Sequence, residues 1–147
     1  MMPYRYLDDL TVADVAFEAR GSSLEELFTA AWEATLQVMI ENPNSLGKVE
    51  SRNIALVESS LDLLLHNFLQ ELIYYKDADG LLLRIEDCRI RWVEGRSKFA
   101  RLDARGRGQT IDPKVHRLGT DVKAVTFYRF DLARENREWR ATVVLDV

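Results

Sequence analysis

The chain has 147 residues, about half of them apolar and under a third charged, with a formal net charge of -4. That length fits one domain, 1–147, and is enough to bury a proper core. The negative balance argues against general nucleic-acid binding by bulk electrostatics, though not against a local basic patch. No apolar run reaches the length of a membrane span, and the N-terminus Met-Met-Pro-Tyr-Arg-Tyr has no hydrophobic signal core.

The first alternating run is Asp14-Val-Ala-Phe-Glu-Ala-Arg20, which predicts a strand opened by Asp14. A Ser-x-x-Glu box at Ser22 and Glu25 then marks a helix start. Leu24, Leu27, Phe28, Ala31, Thr35, Val38 and Met39 follow at helical spacing, and the helix is expected to end near Ile40. A strand is predicted from Val49 to Val57. The second helix starts near Ser59-Ser60, with Leu61, Leu64, Leu65, Phe68, Leu69, Leu72 and Ile73 as its apolar stripe. It ends before Gly80, which suits a left-handed cap. From Leu81 onward the chain reads as strands: Leu81 to Trp92, then Lys98 to Ala104, with Arg105-Gly-Arg-Gly108 as a loop. Lys123 to Leu132 and Glu138 to Val147 form a hairpin across residues 133–137. This order predicts an α+β fold, a two-layer sandwich with two helices packed on one face of a largely antiparallel sheet.

The last strand runs to the final residue of the sequence. Period-two alternation puts Trp139, Ala141, Val143, Leu145 and Val147 on one face, and Arg140, Thr142, Val144 and Asp146 on the other. In the first strand Asp14, Ala16, Glu18 and Arg20 oppose Val15, Phe17 and Ala19. If the two strands pair antiparallel, Asp14, Asp146 and the C-terminal carboxylate meet. Clustered hard oxygen ligands without Cys or His suit Ca²⁺, Mg²⁺ or Mn²⁺; the plainer alternative is two solvated strand-end aspartates. Asp8, Asp9 and the Val147 carboxylate are the nearby additional donors. Lys123 reads either as a surface lysine at a sheet edge or as a cation for a phosphate or a partner's carboxylate.

Other chemistry is poorly supported. His66 and His116 are far apart with no Cys nearby, so no zinc site is spelled. Gly-x-Ser-x-Gly and phosphate-binding glycine loops are absent from the sequence. Cys88 reads as a small buried strand residue. As the lone cysteine it permits no internal disulfide and fits a reducing, cytoplasmic compartment. The stretch from Arg84 to Arg107 is locally basic, either as a solvated sheet face or as a surface for RNA phosphates or an acidic partner.

Taken in order, several segments resemble the archease family. They are Tyr6-Leu7-Asp8, residues 13–19 (Ala-Asp-Val-Ala-Phe-Glu-Ala), Ser23 to Phe28, the helix from Leu64 to Tyr75, Asp77-Ala-Asp-Gly-Leu-Leu82, Asp112-Pro-Lys-Val-His116, residues 122–126 and the terminal residues 143–147. The resemblance implies a protein that is not itself an enzyme. Archeases assist the tRNA-splicing RNA ligase, which uses GTP and divalent metal to join a cyclic-phosphate or 3′-phosphate end to a 5′-hydroxyl. It implies a role in promoting guanylation and turnover of that ligase, with RNA met only indirectly or weakly and no membrane partner. The family's metal-binding aspartate falls on Asp14 and its terminal acidic ligand on Asp146. Val147 matches the terminal ligand position, and Lys123 the functional lysine. Many archeases read His-Thr-Ala-Asp before the first strand; here it is Thr11-Val-Ala-Asp14, in a segment two residues longer. Asp8 or Asp9 is left as an alternative oxygen donor or as an exposed residue. Outside this resemblance, a small metal-dependent phosphoesterase or a metal-independent chaperone-like domain are the other readings.

Overall fold

A computed structural model describes residues 3–8, 10 and 13–147. The elements in chain order are β1 (Tyr4–Tyr6), β2 (Val15–Gly21), α1 (Leu24–Met39), a 3-10 turn (Pro43–Ser45), β3 (Glu50–Glu58), α2 (Leu61–Asp79), β4 (Leu81–Glu94), β5 (Lys98–Thr110), β6 (Ala124–Glu135) and β7 (Glu138–Asp146). The fold is α+β, as the order of patterns predicts. The described strands divide between two antiparallel sheets, in the orders β1-β2-β7-β6 and β3-β5-β4. Both helices contact both sheets.

That position explains how widely α1 is buried. Leu27, Phe28, Ala31, Trp32, Leu36 and Met39 are inside, and so are Ala30, Ala34 and Thr35. A helix with neighbours on several sides needs small or apolar residues on more than one stripe. Trp32 lies 4.8 Å from the ring of Phe68 on α2, and its indole N–H donates to the Leu83 carbonyl of β4 at 2.8 Å. One side chain thus joins both helices and a strand without leaving a buried donor unpaired.

The cap of α1 is one residue later than the sequence suggests. Ser23 is the N-cap and accepts from the Glu26 N–H at 3.1 Å, while the Glu26 carboxylate accepts from the Ser22 N–H at 2.8 Å. Two Ser-x-x-Glu boxes overlap here. Glu25 does not serve the cap because it reaches across to accept from the Ile90 N–H of β4 at 3.1 Å. α2 follows its sequence signals closely: Ser60 caps its start, and Gly80 closes its end with φ 61.

The expected loop at Arg105–Gly108 is instead part of β5, paired with β3 and β4 throughout. Gly108 is required by close approach, since a Cβ there would lie 1.8 Å from the Leu82 carbonyl oxygen. In a strand, glycine marks such contact as readily as a turn. The β6–β7 hairpin closes tightly through Asn136 (φ 52) and Arg137 (φ 69), the two positive φ values of a type I′ turn.

Candidate functional site at the strand ends

The chain's first and last long strands, β2 and β7, are partners. Their register runs from Gly21–Trp139 to Val15–Leu145. Asp14 and Asp146 are therefore the next residues outward on adjacent strands, and both are half-buried. The alternation read from sequence holds: Phe17, Ala19, Ala141, Val143 and Leu145 are in the core. The opposite face is not wholly solvated at this end, because Ala16 and Val144 are buried as well.

Lys123 precedes β6 rather than opening it. Its N–H donates to the Asp146 carbonyl at 2.8 Å, and its side chain is exposed. The segment leading to it is held at successive points. Gly119 and Thr120 donate to the carbonyls of Met39 and Val38, both at 2.8 Å, satisfying acceptors left open at the end of α1. Lys76, in the last turn of α2, then grips the chain. Its ammonium pairs with the carboxylate of Asp121, donates to the Val122 carbonyl at 2.7 Å and pairs with Asp77 at 2.9 Å. Burial alone would lower this amine; the bonds to Asp121 and Asp77 outweigh that and hold it above the ordinary lysine range.

Two further α2 side chains fix the start of β6. Gln70 accepts from the Val125 N–H at 2.6 Å, and His66 Nε2 donates to the Val125 carbonyl at 2.8 Å. The carbonyl only accepts, so Nε2 carries the hydrogen. β6 is an edge strand, and these bonds cover its polar main chain at that point. Gln70, Tyr74, Asp77 and Lys123 line a surface hollow of about 430 Å³.

Lys76 and Gln70 are the supporting residues that sequence reading missed, while His66 has a structural role and not that of a zinc ligand. A lysine in a last turn reads as a partner for the helix dipole, and nothing in the spacing ties it to Asp121. His116 is structural: it is buried, Nδ1 accepts from the Asp112 N–H at 2.9 Å, and Nε2 faces Gln109 Oε1 at 3.1 Å. Cys88 is half-buried on β4.

For a divalent cation, the structure supplies hard oxygen donors of the right kind at Asp14 and Asp146. The Asp146 carbonyl is engaged by Lys123. Asp8 is exposed, one residue after Leu7, whose N–H donates to Ala16 at 2.8 Å. Asp9, Thr11 and Val12 lie outside the described residues. Among those described, no three His, Cys, Asp or Glu side chains gather closely enough to hold a metal. Two side-chain carboxylates therefore need oxygens from main chain, the terminal carboxylate of Val147, water or a partner.

Two helices against two antiparallel sheets, with the first and last long strands ending in carboxylates beside an anchored lysine, define a compact α+β class of protein. The archease protein family (MTH1598/TM1083) matches residues 4–147 of this chain, and the chain belongs to that family. It is 33% identical to the protein archease of Pyrococcus abyssi over 136 residues, covering 92% of this chain and 93% of the relative. It is 32% identical to that of Methanosarcina mazei over 147 residues, covering 98% and 95%. The solution structure of Methanobacterium thermoautotrophicum protein 1598 superposes with a TM-score of 0.82 at 26% identity, covering 100% of both chains. A crystal structure from Thermotoga maritima, described as an archease and possible chaperone (TM1083), shares the fold with a TM-score of 0.62 at 21% identity over 93% of each chain.

Proposed function

We propose that this protein is a non-enzymatic accessory factor of the GTP-dependent tRNA-splicing RNA ligase. It promotes guanylation and multiple turnover of that enzyme in tRNA splicing or RNA repair. The observation that carries this reading is the convergence of Asp14, Asp146 and Lys123 at one end of the sheet, within a chain of the archease family. Small accessory proteins act by offering a shaped, charged end to a larger enzyme, and this end has both signs of charge on well-anchored backbone.

Asp14 and Asp146, with an oxygen of Val147, hold a divalent cation in this reading. When bound, such a cation supplies concentrated positive charge for phosphate or carboxylate oxygens. The chain's own residues do the positioning. Lys76 and the end of α1 fix the segment before Lys123, and the Lys123 N–H fixes the Asp146 carbonyl. The exposed Lys123 ammonium is left to meet a phosphate or an acidic side chain of the ligase. The lone, half-buried Cys88 agrees with a reducing, cytoplasmic setting.

The test is multiple-turnover RNA ligation by the cognate ligase with and without this protein, alongside Asp14→Ala and Asp146→Ala. Wild type should raise turnover, and each folded variant should lose most of that stimulation. Full stimulation by Asp146→Ala would remove the acidic end from the mechanism; no stimulation by wild type would remove the ligase.

A further inference from the structure

The sheet β3-β5-β4 turns one face to the core through Ile54, Leu102 and Ala104. Its other face carries Arg89 and Arg91 on β4 and Arg101, Arg105 and Arg107 on β5. We propose that this outer face binds single-stranded nucleic acid, independently of the acidic end on the other sheet.

The register exposes a conflict that an anionic ligand would resolve. Arg91 lies directly opposite Arg101. Like charges placed directly across a ladder destabilise it. Arg101 is partly compensated by two bonds to Asp103, at 2.9 and 3.0 Å. Among the described residues Arg91 makes no ion pair or side-chain hydrogen bond, and it is exposed. Arg105 and Arg107 share one carboxylate, Glu86, at 3.5 and 4.0 Å, and Lys48 takes its other oxygen at 3.3 Å. With Glu86, Asp87 and Asp103 set against five arginines, the face keeps a net positive charge on a molecule whose total is -4.

Shape and chemistry favour nucleic acid over an acidic protein. The face holds a trough of about 580 Å³, deepened where Ala55 stands opposite Asp103. Apart from Lys48, which pairs with Glu86, the cations are arginines, whose planar fork binds phosphate in pairs of bonds and stacks on bases. Between them lie acceptors, Asp87, Asp103 and Asn53. The carboxylates repel any anion, but a nucleic acid, unlike a run of acidic side chains, also brings base-edge N–H groups that they can take. Beyond Arg91 and Arg101 the same face continues to Val93 and Phe99, paired in register and both exposed. An exposed ring at the end of an arginine row is a stacking platform for an unpaired base. From Phe99 to Arg107 the face runs roughly 27 Å at the usual strand rise, room for a short single strand.

The experiment is fluorescence anisotropy with a labelled oligouridylate of about 12 nucleotides, titrated with the full chain at 50 and 200 mM salt. Contacts from four arginines predict a roughly 50-fold weaker affinity at the higher salt. Arg91→Glu with Arg105→Glu should weaken binding at least tenfold at 50 mM, while thermal melting shows the variant folded. Arg134→Glu with Arg137→Glu, an equal charge change on the other sheet's hairpin, should bind much more like wild type. The proposal is overturned by no saturable binding at 50 mM, or by equal loss in both double variants. Displacement by polyglutamate as effectively as by unlabelled oligouridylate would also overturn it, and would assign the face to an acidic protein.

Discussion

The thiol of Cys88 sits on β4, and burial first, then the carboxylates of Glu25 and Asp87, push it up to about 12. A free cysteine ionises near 8.5, so at pH 8 the buried group holds roughly a thousandth of the thiolate of a free one. Alkylation by iodoacetamide at pH 8 should be at least about 100-fold slower for native than for urea-unfolded protein; similar rates would mean that the strand opens readily. The same environment shows which parts of a site a sequence discloses. The placement of Asp14 and Asp146 on adjacent strand ends was legible because strand alternation and antiparallel pairing fix their spacing. Lys123 was legible as a lysine at a sheet edge, and only the family likeness chose between a surface residue and a functional cation. The partners of Lys76, Gln70 and His66 were not legible, because each lies 45 to 59 residues away, and one helix gives no hint of which distant loop it will meet. The two histidines also look alike in sequence, yet one anchors an edge strand and the other closes the turn after β5.

Between elements, Glu18 of β2 is a buried carboxylate that ties three strands together. It accepts from Arg5 of β1 at 3.1 Å and from Arg20 at 2.7 Å, and Arg20 continues to Glu138 of β7 at 3.1 Å. Burial pushes this carboxyl up, but the arginine bonds outweigh it and hold it below the usual glutamate range. A depressed folded value means that the unfolded chain takes up its proton first. The stability from Glu18 is then fully present above the ordinary glutamate range, near 4.3, and is lost as pH falls through the lowered folded value. Glu18→Gln should therefore melt lower than wild type at pH 7, with the gap narrowing towards pH 3. Parallel melting curves at all pH values would show that the three-strand tie adds nothing. Elements themselves were mostly legible: both helices, the Gly80 cap and the last hairpin follow their sequence signals. The exceptions have local causes. Two capping boxes overlap at Ser22–Glu26, and one glutamate is claimed by β4. The glycines of β5 mark contact with β4 at Gly108, a fact of tertiary packing that local sequence does not record. β6 departs in another way: its register with β7 breaks between Thr126 and Asp131 around a positive φ at Arg129, leaving Phe127 and Tyr128 exposed.

Over the whole molecule, the partition of strands into two sheets was the least legible feature. Alternation says which face of a strand is apolar, not which strand lies beside it. The observed partition is nevertheless what gives the site its form. By seating β7 between β2 and β6, the fold brings the start of β2, the end of β7 and the Lys123 segment to one place. If Asp14 and Asp146 hold a divalent ion, the ion binds only the folded chain, and stability rises with its concentration. At 100 times the dissociation constant the gain is about 2.7 kcal/mol, which for a chain of this size is roughly 5–10 °C in Tm. Calcium, magnesium and manganese should be titrated separately, with chelator reversing the shift. Asp146→Asn supplies the decisive comparison. Without metal it should melt close to the wild-type temperature, since only the ion-holding carboxylate is lost. With metal it should gain little. A wild type indifferent to all three ions would take the cation out of the proposed mechanism, while leaving the charged end and Lys123 to act on the ligase directly.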